Sequence, residues 1–179
     1  MNTTSARRQR GITLVEGSIV TAIVAILVSV ATPNLGKMVE RRHIEGAAAQ
    51  LETDIQFARS LAVARNQPVR VSFESASSAS CYVIHTGGAN DCECGADGNA
   101  VCRGTAEALR TVRFPAGGPV GVRSNSRSIL ADNTRGTITP TATMQVQGNS
   151  GTTMNVIVNI MGRVRNCAAT SGLPGYTRC

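Results

Sequence analysis

The sequence predicts an α+β fold in which one long N-terminal helix packs on an antiparallel β-sheet head. Two observations lead to this fold class. Apolar residues recur at three- and four-residue steps as far as about residue 66, which is the period of a helix. After Pro68 apolar and polar residues alternate, which is the period of a strand. Because every strand candidate follows the helix, we expect one head domain rather than alternating helices and strands.

The first part of the helix is expected to cross a membrane. Residues 1–11 form a basic leader, and residues 12–33 contain no Lys, Arg or Asp. The length of this span matches the roughly 20 residues that a helix needs to cross a bilayer core. Positive charge before the span keeps the leader in the cytoplasm, so we expect residues 34–179 to form a head on the other side.

One ionisable side chain, Glu16, lies within this span. A carboxylate there costs roughly 2 to 3 kcal/mol on insertion scales, so it is expected to have a partner. A secretory signal cleaved after Ser29-Val30-Ala31 is one interpretation of the segment, and an uncleaved signal anchor is another. Both leave Glu16 unexplained.

The residues around Gly11 resemble the processing site of type IV prepilins. Gly11 is followed by Ile12, where the family most often has Phe or Met, and the acid at Glu16 is fifth after the glycine. The resemblance implies that prepilin peptidase cuts after Gly11 and methylates the new N-terminus. Glu16 would then neutralise the α-amine of a neighbouring subunit, which makes it an assembly residue and makes other major and minor pilins its partners.

Beyond the span the helix continues as an amphipathic segment. It should end near Asn66, because Pro68 biases the preceding residue away from the helical region. One face of this segment is expected to pack on the sheet, and it holds Ile44, Ala47, Ala48, Leu51, Ile55, Ala58 and Ala62.

Short alternating segments predict the strands of the head, and clusters of Gly, Ser, Asn and Pro separate them. The strand order stays open at this point. The stretch from Gly87 to Gly104 has no such period and is expected to be a loop or an insertion. The candidate strands are 69–73, 82–85, 110–114, 136–139, 144–147 and 154–160.

The cysteines predict up to three disulfide bonds in an exported head. If Cys167 pairs with Cys179, two arrangements remain for the other four. These are Cys81 with Cys92 and Cys94 with Cys102, or Cys81 with Cys94 and Cys92 with Cys102.

A metal site is the rival interpretation of the same region. Cys92, Cys94 and Cys102 could supply thiolate ligands, and Asp91, Glu93 and Asp97 could hold a hard cation. The spacing fits neither template well, so we favour disulfides and expect no metal.

No pattern predicts catalysis or a bound cofactor. His43 falls on the amphipathic helix and His85 in a strand candidate, and neither adjoins a Ser or Cys nucleophile motif. The sequence also lacks a Gly-rich phosphate loop with a following Lys.

Charge is distributed unevenly in a chain whose net charge is +7. Residues 12–102 carry nine acids and six basic residues, whereas residues 103–179 carry nine arginines against Glu107 and Asp132. Arginine suits bidentate contacts with phosphate. A surface of this sign attracts polyanions with an affinity that falls as salt rises.

Within the basic half, one segment combines a turn with two arginines. Gly162 is expected to supply the positive φ of a hairpin turn, and a strand beginning there would place Arg163 and Arg165 on one face. They would lie about 6.6 to 7 Å apart along the strand, close to the separation of adjacent phosphates. A Cys167 to Cys179 bridge would bring Arg178 back beside them. The plainer alternative is that basic side chains protect a sheet edge from aggregation.

The leader, the long helix ending in Arg65-Asn66-Gln67-Pro68-Val69, and the later Gly-Arg-x-Arg motif at 162–165 resemble the GspH/FimT family of minor pilins and pseudopilins. The resemblance implies a type IV pilin-like fold. It also implies a single-pass protein of the bacterial inner membrane with a periplasmic head, which becomes extracellular in an assembled pilus.

In FimT-type minor pilins of natural transformation, this motif is implicated in binding extracellular DNA. The resemblance therefore implies that Gly162, Arg163 and Arg165 bind double-stranded DNA, and Arg178 is added on charge and proximity alone. Scarce aromatic residues argue against base stacking, so we expect contacts with the duplex backbone. The alternative is a structural minor pilin or a GspH-type secretion pseudopilin that primes filament assembly without binding DNA.

Overall fold

The computed structural model describes residues 13–75, 79–95, 99–171 and 173–179, without the side chains of 30–34. The chain divides into two compact units, one ending at Met38 and the other formed by Val39–Cys179. The first contains the beginning of the helix α1 (Leu14–Arg65), and the second contains the rest of α1 and all the described strands. Within the described part of the chain, no helix is long and apolar enough to qualify as a membrane span.

Both ends of α1 are capped. At the start, the Thr13 hydroxyl oxygen accepts a hydrogen bond from the Glu16 backbone N–H at 3.2 Å. At the end, Asn66 adopts a left-handed conformation with φ +48°. The Gln67 N–H then donates to the Ala62 carbonyl at 3.1 Å, which is the Schellman arrangement. The predicted end of the helix near Asn66 is confirmed.

The strands after α1 form two antiparallel sheets and a small hairpin. The five-stranded sheet has the order β5-β2-β1-β7-β8, the four-stranded sheet has the order β11-β10-β9-β6, and β3 pairs with β4. The strands are β1 (Val69–Ser75), β2 (Ser80–Thr86), β3 (Cys92–Cys94), β4 (Ala100–Cys102), β5 (Ala108–Phe114), β6 (Val120–Ser124), β7 (Ser128–Ala131), β8 (Ile138–Thr139), β9 (Ala142–Gly148), β10 (Thr153–Val158) and β11 (Val164–Ala168).

The core lies where the apolar face of α1 meets both sheets. All seven residues of the predicted helix stripe are buried, and four of them, Ile44, Leu51, Ile55 and Ala62, are fully inaccessible. Every residue of the core cluster falls between Ile44 and Leu173. The unit Val39–Cys179 therefore carries its own hydrophobic core, and the predicted α+β class is confirmed.

Each predicted strand is present, with shifted ends. The candidate 136–139 shortens to β8, and the candidate 154–160 ends at Val158. The prediction missed β6 and β7, because their Arg and Ser residues hide the apolar alternation. The stretch 87–104 was expected to be irregular, yet it contains the hairpin β3–β4.

Three disulfide bonds join all six cysteines. Cys81 pairs with Cys94, Cys92 with Cys102, and Cys167 with Cys179. This is the second of the two arrangements that the sequence left open. The three cysteines considered as metal ligands are therefore bonded to other cysteines, and Asp97 lies outside the described residues.

Candidate nucleic-acid interface

The Gly-Arg-x-Arg motif, residues 162–165, extends from the turn of the β10–β11 hairpin into the first residues of β11. Gly162 has a φ of +73°, as the sequence predicted. Its N–H donates to the Asn159 carbonyl at 2.9 Å, and the Arg163 N–H donates to the Asn159 side-chain oxygen at 2.9 Å. Asn159 thus fixes the turn through both its backbone and its side chain.

The two arginines of the motif project from the same face of the hairpin. Arg163 and Arg165 are exposed, whereas Val164 between them is half-buried and packs against the core. The strand β11 begins at Val164, two residues later than predicted, and it is an edge strand of its sheet. Neither guanidinium group forms a hydrogen bond or an ion pair with any described residue. Both are therefore available to an anionic ligand.

Arg178 lies at the other end of β11. Residue 178 forms an isolated parallel bridge with Ala168, and the Ala168 N–H donates to the Thr177 carbonyl at 2.9 Å. Ala168 is three residues beyond Arg165, which corresponds to about 10 Å along the strand. The structure brings Arg163 and Arg165 together, and it places the exposed Arg178 on the same edge but farther away.

Two side chains of α1 lie against the turn, and sequence analysis did not assign them this role. The Gln56 amide donates to the Gly162 carbonyl at 2.8 Å. The Arg59 Nε donates to the carbonyl of Gly136 at 2.6 Å. A Cβ atom at position 162 would lie 3.0 Å from the Cδ of Arg59, so any larger residue would force this side chain to shift. The sequence signal for these contacts is the presence of glycine at positions 136 and 162. In the structure both glycines have a positive φ.

Acidic groups are remote from the exposed arginines in sequence. Residues 133–179 contain four arginines and no acid. The described acid that contacts β11 is Glu52, which accepts a hydrogen bond from the Asn166 amide at 2.9 Å. Asn166 alternates with Arg165, so Glu52 lies on the opposite side of the sheet from the two arginines. The local field on their side is therefore positive.

A buried polar cluster stabilises the contact between α1 and the five-stranded sheet. The Tyr82 hydroxyl donates to Asp54 at 2.6 Å, and the Arg110 guanidinium lies 2.8 Å from the other oxygen of that carboxylate. Burial, followed by the hydrogen bond to Asp54, raises the pKa of Tyr82 far above its usual value. The cluster is structural, because α1 and the sheet bury it between them.

His85 is buried in β2, where the sequence predicted an ordinary strand residue. One ring nitrogen lies 2.9 Å from the Thr86 carbonyl, so Nδ1 carries the proton, and Nε2 accepts from the Ser72 hydroxyl at 2.8 Å. Burial lowers the pKa of His85 below 6.5. The sequence did not reveal the contact with Ser72, because the two residues meet only through the pairing of β1 with β2.

The predicted processing and assembly residues lie at the start of the chain. Gly11 and Ile12 fall outside the described residues. Glu16 is exposed in the first turn of α1, three residues after its capping Thr13. A Thr-x-x-Glu sequence at a helix start is a capping-box pattern, and an acid there also favours the helix dipole by about 0.3 to 1 kcal/mol.

The fold can be compared with known structures. It is similar to the type IV minor pilin FimU of Pseudomonas aeruginosa PAO1, with a TM-score of 0.51 and 16% identity, over 72% of this chain and 90% of that chain. It also matches the minor pseudopilin EpsH from the Type 2 Secretion System of Vibrio cholerae, with a TM-score of 0.46 and 10% identity, over 71% of this chain and 98% of that chain. At this identity the likeness to FimU concerns the fold alone.

A long N-terminal helix packed on antiparallel sheets gives this chain a type IV pilin-like fold. Residues 47–162 match the family model described as Type II transport protein GspH, which covers about two thirds of the chain. The chain therefore belongs to the GspH family, and it is a minor pilin or pseudopilin of a type IV pilus or a type II secretion system. No curated protein sequence matches the chain significantly.

Proposed function

We propose that this protein is a minor pilin of a type IV pilus that binds double-stranded DNA without sequence preference and contributes to DNA uptake in natural transformation. The observation that carries the proposal is the pair of exposed guanidinium groups on Arg163 and Arg165, neither of which has a partner among the described residues. Arg178 adds a further positive charge on the same strand edge.

The rigidity of the hairpin supports this proposal. Asn159 and Gln56 fix the turn that presents the two arginines by hydrogen bonds, and Arg59 lies beside Gly162, so little conformational freedom of the backbone would be lost on binding. Two adjacent arginines spaced like adjacent phosphates form backbone contacts, which position a duplex but do not specify its sequence. A modest affinity that falls along a shallow slope as salt rises is the expected signature.

The proposal includes a membrane-anchored state. Prepilin peptidase would cleave after Gly11, residues 12–33 would lie in the inner membrane, and the head would face the periplasm. The described side chains support this placement, because apolar residues such as Ile19, Ile23 and Leu27 are more than half exposed along the helix. Glu16 would meet the α-amine of a neighbouring pilin during assembly, in addition to its position at the capped helix start.

A purely structural pseudopilin is the second candidate function. The arginines lie on the edge strand β11, where basic side chains also prevent edge-to-edge aggregation. The match to the GspH family model ends at Gly162, immediately before both arginines. In this alternative the protein primes filament assembly and contacts only other pilins.

The test is DNA binding by the head unit, residues 39–179, measured by fluorescence anisotropy with a duplex at several salt concentrations. With two or three phosphate contacts, the slope of log K against log salt should be about −2 to −3. Arg163→Ala combined with Arg165→Ala should remove most of this slope. The matched control is Arg113→Ala combined with Arg127→Ala, which removes the same charge from exposed positions outside the four-stranded sheet.

The outcomes separate the two functions. Loss of binding in the motif variant but not in the control supports the DNA proposal. If the unmodified head shows no salt-sensitive binding, the structural alternative stands. An equal loss in both double variants would show that net charge, rather than the hairpin, attracts the DNA.

A further inference from the structure

The four-stranded sheet has an outer face that the core does not use. Residues along β6, β9 and β10 alternate between buried and more exposed positions. The buried set forms rows across the sheet, one of which joins Val122, Val146, Met154 and Ala168. Because facing alternates along a strand, the other set shares the side that carries Arg165.

The strand register places basic residues at both lateral edges of this outer face. Arg123 on β6 lies opposite Gln145 on β9, Gln145 lies opposite Asn155 on β10, and Asn155 lies opposite Cys167 on β11. Arg165 precedes Cys167 by two residues and therefore has the same facing. The row thus runs from an exposed arginine at one edge, across two uncharged amides, to the basic edge strand.

The four strands that form this face carry no negative charge. The strands β6, β9, β10 and β11 contain neither Asp nor Glu. The Arg123 side chain is exposed, and within the described ranges it has no hydrogen-bond or ion-pair partner. Arg123 therefore resembles Arg163 and Arg165 in being exposed and without a described partner, although it lies about 40 residues away in the sequence.

The dimensions of the outer face fit a duplex. Three interstrand steps of about 4.8 Å separate β6 from β11, so the two basic edges lie about 14 Å apart across the sheet. The major groove of B-DNA is about 12 Å wide, and phosphates of the two different strands border it. An arginine side chain at each edge can therefore reach a different DNA strand, while the exposed Gln145 faces the groove between them.

We propose that the outer face of the four-stranded sheet is a duplex-docking surface, in which Arg163 and Arg165 bind phosphates of one DNA strand and Arg123 binds phosphates of the other. The inference rests on the proposed DNA binding and extends it from one strand edge to the whole face. It assigns Arg123 a contact that the Gly-Arg-x-Arg motif does not contain.

The test compares single variants of the full-length chain in neutral detergent micelles, with a 20-base-pair duplex as the probe. Arg123→Ala should weaken binding about eightfold at 0.1 M salt and reduce the salt slope by about 0.9, the loss of one phosphate contact. Arg163→Ala should have a similar effect. Arg113→Ala, an equal charge change on the five-stranded sheet, should leave the slope unchanged.

Each outcome decides one proposal. If Arg163→Ala weakens binding while Arg123→Ala behaves like Arg113→Ala, the docking surface is refuted and the proposed DNA binding remains. If the unmodified protein shows no salt-sensitive binding, the proposed DNA binding fails first, and the docking surface fails with it.

Discussion

The substitution Gly162→Ala tests whether α1 controls the conformation of the hairpin. Gly162 has a φ of +73°, and a left-handed conformation costs an alanine about 1 to 2 kcal/mol. Reduced freedom of the unfolded chain offsets about 0.4 to 1 kcal/mol of this cost. At Gly151, where φ is +85° and a Cβ atom would meet nothing within 4 Å, only these two effects operate. Gly151→Ala should therefore destabilise the head by about 0.5 to 1 kcal/mol.

Position 162 adds a steric cost. A Cβ atom there would lie 3.0 Å from Cδ and 3.1 Å from Nε of Arg59, and this Nε donates to the Gly136 carbonyl. Moving Arg59 aside sacrifices a hydrogen bond from a charged group, which is worth about 1.5 kcal/mol or more. The total for Gly162→Ala is therefore about 2 to 3 kcal/mol.

Urea unfolding of the head with its disulfides intact measures these costs, provided that the slope m stays constant. Arg59→Ala removes the obstruction, so the double variant with Gly162→Ala should be more stable than the sum of the two single effects predicts. The reasoning is refuted if Gly162→Ala costs no more than Gly151→Ala, or if the two substitutions at 59 and 162 are additive.

Two further predictions concern the polar groups in the core. Arg110→Met removes the partner of the buried Asp54 carboxylate and should cost about 2 kcal/mol, below the value for a fully buried pair because Arg110 is 44% exposed. Adding Asp54→Asn should recover part of that loss in the same urea assay, and no recovery would contradict the assigned ion pair. Burial lowers the pKa of His85 below 6.5, so below about pH 6.5 the unfolded protein takes up a proton that the folded protein does not. The free energy of unfolding should therefore decrease as the pH falls below about 6.5. His85→Gln should flatten this dependence and the exposed control His43→Gln should not, as thermal unfolding at several pH values can show.

The sequence predicted the helix well because its signals are local. The stripe from Ile44 to Ala62 repeats at helical steps over many residues, and Pro68 marks where the helix cannot continue. The positive φ of Gly162 and the alternation of Arg163, Val164 and Arg165 are also properties of neighbouring residues. These predictions needed no knowledge of what the segments pack against.

The cysteines illustrate where sequence reasoning stopped. The sequence restricted the pairing of the middle four to two arrangements, given a bond between Cys167 and Cys179. Spacing alone did not separate them, because Cys92 and Cys94 are two residues apart in one strand and share a face, so either could pair with Cys81 or with Cys102. The hairpin β3–β4 places Cys102 directly opposite Cys92, which leaves Cys94 for Cys81.

The amino-acid sequence by itself determined the long helix, its apolar face, the existence of a strand-rich head and the turn that exposes two arginines, since each depends on the period or conformational preference of adjacent residues. Only the tertiary structure decided that Arg59 fills the space beside Gly162 and that Arg123 shares a face with Arg165. Both contacts join residues far apart in the chain through the packing of α1 and the register of the four-stranded sheet. Such long-range pairings are set by the burial of the whole core, which no local pattern encodes.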